Sequence, residues 1–184
     1  MGVRRFLIVL AIAVVAFAAY WAITTTDSSI LLGDSTPPTV HELDLPADAQ
    51  RAEVTHVHDG DTLFIQPEGT TAREDELKVR LVGIDTPEVQ PAVECFGAES
   101  RDALRQLLPD GSTVWFSFDV EPYDQYDRAL LYLWNTDGTF INLELIEQGY
   151  AEAVRIGAND RYWPELKAAE DRASSEFLGR WGQC

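Results

Sequence analysis

Residues 6–23 form an unbroken apolar run directly after Arg4 and Arg5. A terminal stretch that is apolar on every side is not one face of a soluble core, so it stands apart from the folded domain and marks the chain for export. The apolar core of a cleaved signal spans about 7–15 residues and a membrane-crossing helix about 17–25, so this run sits at the short end of a true span. The two arginines suit the cytoplasmic side, and Tyr20 and Trp21 suit an aromatic belt at the far interface. Ala16-Phe17-Ala18 also reads as a small-x-small cleavage site, so residues 1–23 are a retained anchor on the first reading and a removed signal on the second. No cysteine lies in this segment, which excludes a lipoprotein-type anchor on it.

Residues 24–50 change texture: Ser, Thr and Asp with the pair Pro37-Pro38 make a poor core and a good spacer, so this stretch is expected to be a flexible linker. The folded domain is expected over residues 51–184, a length that suits one compact unit. At 46% hydrophobic and 24% charged residues the composition is that of a globular chain. Its charge is not ordinary: 14 Lys plus Arg against 31 Asp plus Glu leave a net −17. Lys78 and Lys167 are the only lysines. A basic patch that gathers nucleic acid by counterion release is therefore excluded, and any polyanion must be gripped by a few placed arginines, a metal, or in strong salt.

Along the domain, β-rich runs begin at Val54, Thr62, Leu77, Val114 and Ala129, separated by turn signals such as Asp59-Gly60-Asp61 and Pro67-Glu68-Gly69. Phe96, Ala103, Leu104, Leu107 and Leu108 recur at helical spacing between the third and fourth runs. Asn142–Glu147 and Trp163–Phe177 read as two later helices. The predicted class is a β-barrel plus helices (α+β): a five-stranded barrel of the oligonucleotide/oligosaccharide-binding (OB) kind with about three helices, preceded by the N-terminal hydrophobic anchor.

Three polar clusters interrupt this frame. Asp59-Gly60-Asp61-Thr62 puts two carboxylates on a turn, where a plain surface loop is the competing reading. In residues 80–88 an apolar strand is flanked by Arg80 and by Asp85-Thr86-Pro87-Glu88, with Pro87 holding Thr86 extended. Asp124-Gln125-Tyr126-Asp127-Arg128 is a polar loop leading into the last strand. Hard oxygens such as those of Asp61 and Asp85 suit Ca²⁺ or Mg²⁺. Two arginines presented to a phosphodiester would stabilise its crowded transition state, and Glu88 could orient or deprotonate the attacking water. Arg80 and Asp85 stand an odd number of residues apart, so a regular strand would put them on opposite faces. They can serve one site only if the strand bulges or ends early, and Gly83 is the place for that.

With these three motifs in this order and spacing, the sequence resembles the thermonuclease (staphylococcal-nuclease-like) family over most of residues 51–181. The resemblance implies Ca²⁺-dependent cleavage of DNA and RNA to 3′-phosphorylated products by an endonuclease on an OB barrel. It assigns Arg80, Glu88 and Arg128 to catalysis, and Asp61, Asp85, Thr86 (through its carbonyl) and the nearby Asp59 to the metal. The residue before the second arginine is usually glycine in that family and here is Asp127, a carboxylate that either competes for Arg128 or points to solvent. Tyr126 and Tyr123 are candidates to stack on a nucleotide, whereas Trp115 and Trp134 lie in strands and read as core. His56 and His58 share a strand face but lack a third soft ligand.

Two other readings compete with a nuclease: a non-catalytic nucleic-acid- or protein-binding module tethered to the membrane, and a tethered scaffold in which Ca²⁺ is structural. An eroded site would lack some of Asp61, Arg80, Asp85, Glu88 and Arg128, and none is missing. DNA and RNA are the expected partners, with the membrane through residues 6–23, and no obligate protein partner is indicated. The expected location is extracytoplasmic. An exported chain with an even cysteine count favours a bridge between Cys95 and Cys184. Without residues 1–23 the chain carries 12 positive against 31 negative residues, or −19, which predicts adaptation to strong brine in a halophilic prokaryote.

Overall fold

A computed structural model describes residues 45–184; the expected anchor and most of the expected linker lie outside the described residues. Strands β1 (Gln50–Val57), β2 (Thr62–Pro67) and β3 (Leu77–Leu81) form an antiparallel meander, with a short 3₁₀ turn at Arg73–Asp75 before β3. The two-residue strand β4 (Ile84–Asp85) and helix α1 (Gly97–Leu107) follow, then the hairpin of β5 (Thr113–Tyr123) and β6 (Ala129–Asn135). Helix α2 (Ile141–Glu147), strand β7 (Glu152–Ala153), helix α3 (Trp163–Ser175) and the short α4 (Arg180–Gln183) complete the chain. The sheet closes in the order β1-β2-β3-β6-β5, with β5 returning to β1. Every pairing is antiparallel except β3 with β6. This is the expected five-stranded barrel with three main helices. β4 and β7 pair separately as a small second sheet.

Strand chemistry explains the layers. In β1 the buried residues are Ala52, Val54 and Val57, and a register shift between Val54 and His56 changes the parity. The shift turns both His56 and His58 to solvent. In β6 every residue from Ala129 to Trp134 is buried. A strand with no polar alternation is covered on both faces; here one side lines the barrel and the other is packed by α2. Asn142 ties that helix down: its side chain donates to the Val82 carbonyl (2.8 Å) and accepts from the Leu133 amide (3.0 Å). Trp134 is fully buried and stacked on Phe140, while Trp115 is half-buried beneath Arg51.

Cys95, just before α1, is joined to Cys184 by a disulfide with Cα atoms 6.0 Å apart. Closing a loop 89 residues long contributes about 4–5 kcal/mol on the chain-entropy account.

Candidate active site

The odd spacing between Arg80 and Asp85 is resolved by an early strand end. β3 stops at Leu81, Val82-Gly83 forms a turn, and the chain restarts as β4. Gly83 has φ 85°, the left-handed region that disfavours a side chain, and a Cβ there would also meet Leu166 at 2.5 Å. The turn returns Asp85 to the Arg80 side chain: Nη2 of Arg80 donates to Oδ1 of Asp85 at 2.6 Å. Nη1 of the same guanidinium donates to the carbonyls of Leu81 and Ile84, both at 2.8 Å.

The first acidic turn is fastened to the same place. Nη1 of Arg80 lies 3.1 Å from Oδ2 of Asp61, which also accepts the Thr86 amide at 3.1 Å. Oδ1 of Asp61 accepts the Thr62 hydroxyl (3.0 Å), and Oδ1 of Asp59 accepts the Asp61 amide (3.3 Å). Gly60 serves close approach here: a Cβ on it would stand 2.7 Å from the Thr86 hydroxyl and 2.9 Å from Ser100 Cβ. Arg80, Asp59, Asp61 and Thr86 are buried, Asp85 is half-exposed, and Glu88 is exposed just beyond.

Four carboxylates thus crowd one buried guanidinium. Burial raises the pKa of Asp59, and repulsion from Asp61 adds to it. Burial likewise raises Asp85 against the opposing pull of Arg80. Partial desolvation raises Glu88, followed by repulsion from Asp59, Asp61 and Asp85. Among the described residues no three Asp, Glu, His or Cys side chains form a ready metal cluster. The donors that are present are all hard oxygens, and their surplus negative charge is what a divalent cation would neutralise, so the residues fit Ca²⁺ by chemistry and charge.

Arg128 immediately precedes β6, and the parallel register sets Leu130 beside Arg80. The two arginines therefore issue from neighbouring strands, Arg80 from the middle of the pairing and Arg128 one residue before its first pair. Arg128 is held by Asp124, the first residue of the third polar cluster, to which the sequence alone assigned no role. Oδ2 of Asp124 accepts Nε of Arg128 at 2.7 Å, and Oδ1 accepts the amides of Tyr126 (2.8 Å) and Arg128 (3.0 Å). Burial pushes the Asp124 pKa up, but these bonds outweigh it and hold the carboxyl below its ordinary value. The signal available in sequence was an acid four residues before the arginine across a turn. Tyr126 is exposed with the Arg128 guanidinium 5.7 Å from its ring centre; Tyr123 is half-exposed and tilted against Phe118.

Asp127 is exposed and has φ 57°, which accounts for a glycine preference at this position. Of the two readings open for its carboxylate, solvent is the one seen, and the partner of Arg128 is Asp124. Replacing Asp127 with glycine is expected to leave cleavage unchanged and to shift stability by less than about 1 kcal/mol, since relieved strain offsets added chain entropy. A thermal melt with a paired rate measurement checks this.

The comparisons agree with this geometry. The family described as "Staphylococcal nuclease homologue" matches residues 78–183. A protein named "Thermonuclease" from Staphylococcus intermedius is 36% identical over 131 residues, which is 70% of this chain and 74% of that protein. Another "Thermonuclease", from Staphylococcus hyicus, is 31% identical over 138 residues, 73% of this chain and 78% of that one. "Endonuclease YhcR" of Bacillus subtilis is 30% identical over 142 residues, 71% of this chain but 11% of that much longer protein. A closed five-stranded barrel, a strand broken at Gly83 to join Arg80 with two acidic turns, and a family match over most of the domain lead to one assignment: this chain belongs to the staphylococcal nuclease homologue family.

Proposed function

We propose that this chain is an extracytoplasmic, Ca²⁺-dependent endonuclease that hydrolyses DNA and RNA to 3′-phosphorylated products. The observation that carries the reading is Arg80 pinned between Asp61 and Asp85, with Glu88 three residues beyond. Asp61, Asp85, the Thr86 carbonyl and the nearby Asp59 would hold the ion. When bound, Ca²⁺ would neutralise phosphate charge and favour ionisation of a nearby water. Arg80 is preorganised by two carbonyls, so it offers charge to the phosphate without first being ordered. Glu88 takes a proton from the attacking water, and its raised pKa makes it the stronger base. Arg128 meets the charge that grows on the phosphoryl oxygens. The bond from phosphorus to the 5′ oxygen breaks, and that oxygen leaves with a proton from solvent. Exposed Tyr126 and Tyr123 offer rings on which bases stack.

The test is digestion of plasmid and of RNA by the full chain with Ca²⁺, Mg²⁺ and chelator. Cleavage is expected with Ca²⁺ and none with chelator, and the new ends should resist polymerase extension until dephosphorylated. Equal cleavage in chelator, or directly extendable ends, would overturn the reading.

The charge of the chain supports a halophilic source, and residues 6–23 support a membrane anchor on a domain that follows a linker. At about 1 M salt the Debye length falls to roughly 3 Å, which removes both self-repulsion and repulsion of a polyanionic substrate. Stability and cleavage are therefore expected to hold or rise up to molar NaCl. A steep fall of cleavage with the fold intact would argue against it.

A further inference from the structure

The loop that carries Glu88 has little packing of its own. Residues 90–95 are all exposed, and Val93 is 73% exposed. What closes the loop is a reciprocal pair: the Glu94 amide donates to the Glu88 carbonyl at 2.9 Å, and the Glu88 amide donates to Oε2 of Glu94 at 3.1 Å. Gly97 presses on the same carbonyl, which a Cβ there would approach to 2.6 Å. Cys95 follows Glu94 directly, two residues before α1, and its sulfur is bonded to Cys184.

The partner of Cys95 is itself well placed. Helix α4 has four residues, too few to hold together in isolation. It is seated by the Arg180 amide on the Gly149 carbonyl (3.0 Å) and by Nη1 of Arg180 on Oε2 of Glu152 (3.1 Å). Glu152 stands opposite Asp85 in the pairing of β7 with β4. One short terminal helix thus reaches the candidate site at two points, through Glu152 beside Asp85 and through the disulfide beside Glu94.

We propose that the Cys95–Cys184 disulfide is a positioning crosslink: it fixes Glu94, and Glu94 fixes the backbone of Glu88, so the bond maintains catalytic geometry as well as stability. The role of Glu88 rests on the reading given under Proposed function; the placement of its backbone does not. Exposed loops with few buried contacts open at low free energy, so losing a covalent tether one residue away frees the Glu88–Glu94 pair before it disturbs the barrel. Misplacing a reacting group by about 1 Å can cost on the order of 10²-fold in rate.

The experiment compares the full chain with Cys95→Ser/Cys184→Ser, each also carrying Glu88→Gln, and with Glu94→Ala in the disulfide-bonded protein. Hydrogen exchange reads the Glu94 amide against the barrel amides of Leu81 and Val82. Exchange at Glu94 is expected to accelerate at least about tenfold in the double serine variant, with the barrel amides unchanged. Its kcat should fall about 10–100-fold with little change in KM. No further loss should appear when Glu88 is already glutamine, and Glu94→Ala should reproduce part of the fall with the disulfide intact. Unchanged exchange at Glu94, or an equal loss of kcat with and without Glu88, would overturn the proposal by making the bond merely structural. If the disulfide-bonded protein cleaves nothing, the nuclease reading fails, and the exchange comparison still decides whether the bond positions the loop.

Discussion

Arg80→Lys is expected to lower kcat by about 10²–10³ while the barrel stays folded, because one preorganised charge-stabilising donor is lost. Lysine keeps the charge but presents a single ammonium. It cannot span Asp61, Asp85 and the carbonyls of Leu81 and Ile84 as the guanidinium does. Arg80→Ala is the less informative change. The side chains of Arg80 and Asp61 are 8% and 7% exposed, so alanine would leave buried carboxylate charge without its partner. Breaking such a pair costs about 3–5 kcal/mol, enough to confuse lost chemistry with lost fold. Initial rates on DNA, taken with a thermal melt of each variant, separate the two. Wild-type kcat in Arg80→Lys would remove Arg80 from the chemistry.

Arg128→Ala is expected to lose a similar factor of about 10²–10³ in kcat, with far less effect on stability. The Arg128 side chain is 26% exposed and, among the described residues, its ion pair is with Asp124, a partly exposed contact worth no more than about 1 kcal/mol. The same pair gives a pH dependence with a definite sign. Asp124 has a folded pKa below its unfolded value, so its contribution is present above the unfolded pKa and is lost as pH falls through the folded one. In Arg128→Ala that acid-side loss should shrink, which melts between pH 2 and pH 5 would show. An Arg128→Ala protein with full activity would remove that residue from the chemistry.

The five barrel strands and the main helices were legible along the chain because alternation of apolar residues and Gly, Pro and Asp at turns are local signals. The break at Gly83 was legible too, for a reason of parity: Arg80 and Asp85 could not share a face on an unbroken strand. The Cys95–Cys184 bridge followed from an even cysteine count together with the expectation of export. The two-residue strands β4 and β7 were not legible, since two residues carry no period, nor was the extension of β5 to Tyr123. Gly60 was read as a turn residue, yet what requires glycine there is the approach of Thr86 and Ser100, from segments distant in sequence.

By itself, then, the sequence determined which chemical groups this chain possesses and the order in which they occur, because residue type and spacing along the chain are enough to specify both. Only the tertiary structure decided which carboxylate holds Arg128 and what the last residue does. Asp124 and Asp127 are both within reach of that arginine in sequence; a left-handed backbone at Asp127 turns one out and leaves the other bonded. Cys184 is distant from Glu88 in sequence, yet the disulfide ends one residue from Glu94, whose backbone and carboxylate both hold Glu88. Such choices rest on contacts between remote segments, which form when the barrel closes and leave no trace in local composition.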